Sequence, residues 1–272
     1  MQQFSISPRE MILSLWRNRG LINTLVKREV AGRYRGSMMG SLWSFFNPVF
    51  MLAVYTFVFS VVFKARWNSG SDSKAEFALV LFVGLMVFNL FAECVNRAPG
   101  LVLSNVNYVK KVVFPLEILP WVAMGSALFH MSISLGVWFI FYVLLFGIPP
   151  VTILLFPLVL LPLIMLTVGL SWLLASLGVY VRDVAQLIGI FTNTLMFLSP
   201  IFYPTSALPA EYQPLLLLNP ITPVVEQARD VLIWGKASEW TLFVIYLIFT
   251  TFVAWLGFAW FQKTRKGFAD VL

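Results

Sequence analysis

Apolar residues fall along this chain in long blocks separated by short polar ones. A helix needs roughly 20 mostly apolar residues to span a hydrocarbon core. The blocks that approach that length are Ser41 to Phe63, Phe77 to Val95, Trp121 to Phe146 and Ile153 to Gly178, then a shorter one from Leu187 to Tyr203, and finally Thr241 to Phe261. The pattern predicts an all-α polytopic membrane protein with six transmembrane helices. The segment between the fifth and sixth blocks is apolar yet broken by Pro200, Pro204, Pro209, Pro214, Pro220 and Pro223, with Leu215–Leu218 among them. Proline removes a donor and fixes φ, so no long helix fits there. Broken apolar backbone at a membrane is tolerated where protein buries it or a cavity lies beside it. Two short re-entrant helices dipping in from the outer face are expected, the alternative being an ordinary outer loop. Ahead of the first block, residues 21–35 carry Leu21, Ile22, Leu25, Val26 and Val30 on one face and Lys27, Arg28 and Arg35 on the other. That is an amphipathic helix lying along a membrane surface. Glu29 and Arg33, four apart, are expected to pair on its surface.

Composition agrees with lipid as the surrounding solvent. Of the 272 residues, 60% are hydrophobic and 11% charged, against about 25% charged in a soluble domain; mean hydropathy is +0.86. One cysteine, Cys94, and one histidine, His130, exclude a disulfide framework and a histidine-cluster metal site. The first stretch carries Arg9, Glu10, Arg17 and Arg19 before any apolar run, so no cleavable signal peptide is expected.

The net charge of +7 reads as a topology signal, because cytoplasmic loops retain Lys and Arg. With the N-terminus inside, only Lys64, Arg66, Lys74, Arg229 and Lys236 fall outside. Both termini are therefore expected in the cytoplasm, and no nucleic-acid partner is needed. The chain reads as a single unit over 1–272: a cytoplasmic amphipathic region at 1–40, a bundle at 41–261 and a cytoplasmic tail at 262–272.

Chemistry is sparse. No P-loop is present, and Gly235-Lys236 lacks its preceding glycine. Glu93 and His130 are the ionisable residues within the blocks, and such residues mark pathways or satisfied packing bonds. For Glu93 the bland reading is a satisfied end-of-helix carboxylate. For His130, with Ser126, Ser132 and Ser134 nearby, it is a hydrogen bond between packed helices. The turn from Asn105 to Pro120 mixes Tyr108, Lys110, Lys111 and Glu117 with Val112, Val113, Phe114 and Leu116. It suits docking into a groove on a soluble partner, or equally a snorkelling turn at the membrane surface.

Five strings in order carry a resemblance: R-Y-R-G-S-M-M-G-S-L-W-S-F-F-N-P (33–48), F-V-G-L-M-V-F-N-L-F (82–91), N-Y-V-K-K-V-V-F-P-L-E-I-L-P (107–120), Y-V-R-D-V (180–184) and L-S-P-I-F-Y-P (198–204), the last followed by N-P-I-T-P and Arg229. The chain resembles the membrane subunit of ABC-2-type exporters, in the polysaccharide branch that covers O-antigen, capsule and teichoic-acid permeases. Leu116 stands before Glu117 where the family often carries a basic residue. The resemblance implies a homodimer in the bacterial inner membrane, with two copies of a separate ABC ATPase that hold the ATP and magnesium; this chain itself holds no cofactor. It implies ATPase docking by Tyr108, Lys110, Lys111, Phe114, Pro115 and Glu117, with a second contact at Arg182 and Asp183. It places Arg28, Arg33, Tyr34 and Arg35 at a cytoplasmic gate, where their forks would meet the pyrophosphate of a lipid-linked polysaccharide. Residues 204–234 would form the outer gate helices. Tyr55, Phe59, Phe88 and Phe197 are candidates to line a sugar channel. Competing expectations are a drug or small-lipid exporter, an integral-membrane glycan-modifying enzyme and a structural scaffold.

Overall fold

The computed structural model describes residues 5–33, 35–36, 38–58, 67, 74–110, 114–209, 211–217, 219–237 and 239–272. Among these the chain is helical and no strand occurs. It starts with α1 (Pro8–Arg17), which the apolar pattern did not announce. Ser7 caps it by accepting from the Glu10 N–H at 3.2 Å, and Pro8 opens its first turn. Then come α2 (Arg19–Arg33), α3 (Trp43–Tyr55) and α4 (Lys74–Arg97). Next are the short α5 (Val106–Lys110), the long α6 (Leu119–Phe146), the single turn α7 (Phe156–Val159) and α8 (Leu161–Tyr180). The chain ends with α9 (Val184–Leu198), α10 (Gln213–Leu217), α11 (Thr222–Arg229), α12 (Trp240–Thr264) and α13 (Phe268–Val271).

Among the described residues, four helical stretches are long and apolar enough to cross a membrane: Ala75–Gly100, Leu116–Phe146, Val151–Tyr180 and Trp240–Val271. The fifth predicted span is shorter in the structure, and the first is described only in part. The first is apolar helix over Trp43–Val58, and residues 59–63 lie outside the described segment. The fifth ends at Leu198, not Tyr203, because Ser199 turns extended ahead of Pro200. The fourth is jointed at Leu160, between Pro157 and Pro162, rather than continuous from Ile153. In the proline-rich segment two short helices, α10 and α11, do form.

The axis of the fold is α4. Of its most apolar stretch 83% is buried within the chain, against 17% for the Leu116–Phe146 stretch. It packs on α6, α8, α9 and α11. Beside it, α8 and α12 meet with almost no gap: a Cβ on Gly169 would strike the Ala254 backbone, and one on Gly257 the Gly169 carbonyl. Small residues at such crossings let two helix backbones touch, which is how helices pack where lipid gives no hydrophobic drive. Trp172 lies fully buried here, edge-on to Phe258 with ring centroids 5.1 Å apart, and donates its indole N–H to the Glu117 carbonyl at 2.9 Å. Helix α2 lies across α6, its Leu25 packed on Ile118 and Val122. Gly125 makes room for Val26, whose methyl would lie 2.6 Å from any Cβ there.

The bundle thus has two ends. The basal end gathers α1, α2, α5, the C-terminal residues of α4 and α12, and α13. The far end gathers the start of α4, the end of α9, and α10 and α11.

Candidate functional site

A cavity of about 540 Å³ opens at the basal end between α2, α3, α4 and α6. Its wall along α4 is a polar stripe of Asn89, Glu93, Asn96 and Arg97, at three- and four-residue spacing on one helix face. Asn89 is exposed although its neighbours Phe88 and Leu90 are buried. Arg33 of α2, Ser44, Asn47 and Tyr55 of α3, and His130 and Ser134 of α6 add to the polar lining.

Charge is concentrated at the mouth. Arg33 donates to Glu93 and lies 3.0 Å from His130 Nδ1, which itself lies 3.2 Å from the Glu93 carboxylate. Arg97, one turn on, donates to Glu29 of α2 at 2.5 Å. The expected Glu29–Arg33 pair therefore does not form. Each partner finds an opposite charge on α4 instead, because two crossing contacts dock α2 while one local contact would only decorate it. Arg33 is half exposed, so its guanidinium faces the cavity and water together.

The turn from Tyr108 to Glu117 and helix α2 are joined. Arg28 donates to the Tyr108 hydroxyl at 2.8 Å, and Tyr108 stacks on Phe114 with ring centroids 4.2 Å apart and planes 13° from parallel. Phe114 in turn packs against the buried cluster of Leu25, Ile118 and Val122, as do Ile22 and Val26 of α2. Lys110 and Arg35 are exposed at this end. Tyr34 and Lys111 lie outside the described residues. The turn is not one helix from Tyr108 to Glu117: α5 stops at Lys110 and a separate turn covers Leu116–Ile118. Pro115 is half-buried between them. Glu117 is not at the surface but buried, bonded to Arg265 at 2.6 Å, while the same arginine donates to the Phe114 carbonyl at 2.7 Å. Its place is beneath the turn, tying it to the end of α12. Arg182 and Asp183 are exposed on the turn after α8, and α13 touches both α5 and α8.

Of the channel aromatics, Tyr55 lines the cavity and lies 6.1 Å from Phe202 between ring centroids. Phe88 does not line it: it is buried in the core beside Phe91. Phe197 is exposed and lies 5.7 Å from Phe202. Phe59 lies outside the described residues. The sequence singles out Glu93 and His130 one at a time and does not point to Arg97. The stripe of polar residues along an otherwise apolar α4 was the signal.

The far end is organised by Arg229, which is fully buried. It donates to the carbonyls of Pro200 at 2.6 Å, Ile201 at 3.0 Å and Val80 at 3.3 Å, and to Glu226 at 2.9 Å. The Trp67 ring covers it, 4.2 Å from the guanidinium carbon. Gly84 leaves it space: a Cβ there would lie 2.7 Å from its Nη2. Burial raises the Glu226 carboxyl above the ordinary range despite Arg229 beside it, and burial raises Asp230 against the pull of Lys236.

Long apolar helices enclosing a polar cavity, with charge gathered at one mouth, define a multi-pass membrane protein. The chain matches the ABC-2 type transporter family over residues 20–233, and it belongs to that family. An O-antigen export system permease protein, RfbA, of Myxococcus xanthus is 31% identical over 154 residues, 53% of this chain and 55% of that relative. The chain thus spans only about half of the Myxococcus protein. The RfbA protein of Klebsiella pneumoniae, with the same description, is 24% identical over 262 residues, 93% of this chain and 95% of the relative. The polysialic acid transport protein KpsM of Escherichia coli is 24% identical over 248 residues, 90% of this chain and 93% of its own length.

Proposed function

We propose that this chain is the membrane-spanning permease subunit of an ATP-driven exporter. Its cargo is a lipid-linked polysaccharide of the O-antigen kind, carried from the cytoplasm to the outer face of the bacterial inner membrane. The observation that carries this reading is the basal cavity, with arginines at its mouth and amide and aromatic side chains deeper in. A lipid-linked glycan offers a diphosphate followed by neutral sugars. Arg33 and Arg97 suit the first, since planar guanidinium forks match phosphate oxygens. Asn47, Asn89 and Tyr55 suit the second, giving hydrogen bonds and a ring face without fixed charge. The names of the relatives support a polymer rather than a drug or small lipid as cargo.

The working unit is a homodimer with two copies of an ATP-hydrolysing subunit, which supplies ATP and magnesium. The basal end faces the cytoplasm, with both termini. The bundle has six spans, with α3 and α9 in the first and fifth, and α10 and α11 dip in from the outer face. Closure of the ATPases presses on the Tyr108–Pro115 turn, with Lys110 and Lys111 steering, and on Arg182 and Asp183. The Arg28–Tyr108 bond passes that push to α2, so Arg33 moves relative to Glu93 and the cavity mouth changes shape.

The test is deletion of the gene in its host, followed by gel analysis of surface glycan and of accumulated lipid-linked precursor. Surface glycan should vanish while precursor builds up, and the precursor's chemistry identifies the polymer. Unchanged surface glycan would overturn the reading. Restoring the chain as Arg33→Ala should leave ATPase co-purification intact and export low.

A further inference from the structure

A second cavity, of about 380 Å³, lies at the far end, lined by Trp67, Thr205, Ser206, Glu226, Asp230 and Trp234, with Pro204 and Lys236 at its edge. It is separate from the basal cavity and shares no lining residue with it. Its volume sits near the lower end of small-molecule sites, roughly 300–1,000 Å³.

The wall is built on an unusual backbone. Helix α11 passes into a π turn over Asp230–Trp234, which ends at Gly235 with φ 65°, in the left-handed region. The Lys236 N–H closes back on the Asp230 carbonyl at 3.0 Å. Single π turns inside helices are rare and gather at functional sites. Here the turn brings Glu226, Asp230 and Trp234, four apart in sequence, to the wall of one cavity. Opposite them, the Thr205–Ala207 turn presents Thr205 and Ser206. Trp67 is fixed between the Arg229 guanidinium and the Phe77 ring, 6.0 Å away between centroids.

The chemistry of the lining selects its ligand. Among the described lining residues Glu226 is already paired with Arg229 and Asp230 is balanced by Lys236, so no unmatched cation there draws a phosphate or an acidic group. Among the described lining residues Pro204 is the only aliphatic side chain, so a lipid chain finds no matching wall in them. What remains is a neutral polyhydroxyl compound: sugar C–H faces stack on indole rings, and sugar hydroxyls donate to carboxylates and exchange bonds with Ser and Thr. We infer that this cavity is a binding subsite for neutral sugar residues, holding on the order of one or two of them as a glycan leaves the permease. The inference rests on the export reading, which places this end outside.

The test uses the full chain with its ATPase partner in lipid nanodiscs. The probe is a panel of short, lipid-free neutral oligosaccharides of glucose, galactose and mannose, read by saturation-transfer NMR. At least one member should bind. Trp234→Ala should weaken it about tenfold, and Ser206→Ala and Asp230→Asn should weaken it severalfold. Ile12→Ala, exposed on α1 and outside both cavities, should leave it unchanged. No binding by any sugar overturns the inference, as does binding indifferent to all three pocket variants. Displacement by pyrophosphate or by a basic peptide, in preference to sugar, also overturns it. Each of those results leaves the export reading standing, whereas unchanged surface glycan on deletion removes that reading and not the measured sugar binding.

Discussion

The two ends of this bundle handle positive charge in opposite ways. At the far end Arg229 is sealed from water and spends its donors on the carbonyls of Pro200, Ile201 and Val80 and on one carboxylate. At the basal end Arg33 and Arg97 are part-exposed and paired with Glu93 and Glu29, acids on the opposite element. Backbone carbonyls cannot leave, so the first arrangement is a permanent staple across three segments. Carboxylates on a different helix can be exchanged for another anion, so the second is a clasp. A cation that must release its partner during a work cycle has to stay near water, where the exchange costs little.

Substitutions at the two ends should separate staple from clasp. The largest effect is expected from Arg229→Met, which takes the donor from the loop carbonyls of Pro200 and Ile201 and leaves Glu226 without its partner. It should cost about 3–5 kcal/mol, seen as loss of folded protein in thermal unfolding in detergent. Arg229→Lys should recover only part of that, since one ammonium cannot reach the same set of acceptors. Next comes Glu117→Gln, the basal exception, where both partners are mostly buried. It should cost about 1–3 kcal/mol and loosen the docking turn, measured as weaker co-purification of the ATPase. A smaller change is expected from Glu93→Gln, under about 1 kcal/mol in stability. That variant should still bind inorganic pyrophosphate more tightly than the native chain, because a competing anion is gone; equal binding by calorimetry would show that Arg33 is not the anion site. Tyr108→Phe should be smallest, with unfolding barely moved and ATP hydrolysis less responsive to substrate, since only the Arg28 bond is lost.

The difference between the ends also decided what could be read in the sequence. The long apolar blocks announced α4, α6 and α12, because hydrophobic run length is a local property. Pro200 announced where α9 must stop, although the apolar residues beyond it argued for a longer span. The cap signature Ser7-Pro8 with Glu10 was present, but α1 has no apolar run long enough to draw notice. Tertiary choices were illegible. Glu29 and Arg33 sit at helical pairing distance, and nothing local shows that Arg97 and Glu93 compete for them. Arg229 reads as one more loop charge; its burial depends on Gly84, distant in sequence, leaving a gap. Tyr108 and Arg28 were each assigned to a site, yet their bond across the chain was not visible, since the two sites had been treated as separate.

The burial of α4 has a consequence for how the protein is made. It is the most enclosed long helix, yet it is among the earliest to leave the ribosome. Its neighbours α8, α9 and α11 are synthesised only after it has entered the bilayer. Lipid must therefore cover α4 first and be displaced face by face as the later helices arrive. Its polar stripe spends that interval without the wall that α6 provides through His130, leaving α2 as its early shield. The clasp between Arg33, Glu93, Arg97 and Glu29 is then an assembly aid before it is anything else: it gives a nascent helix its counter-charges while the rest of the bundle is still being translated.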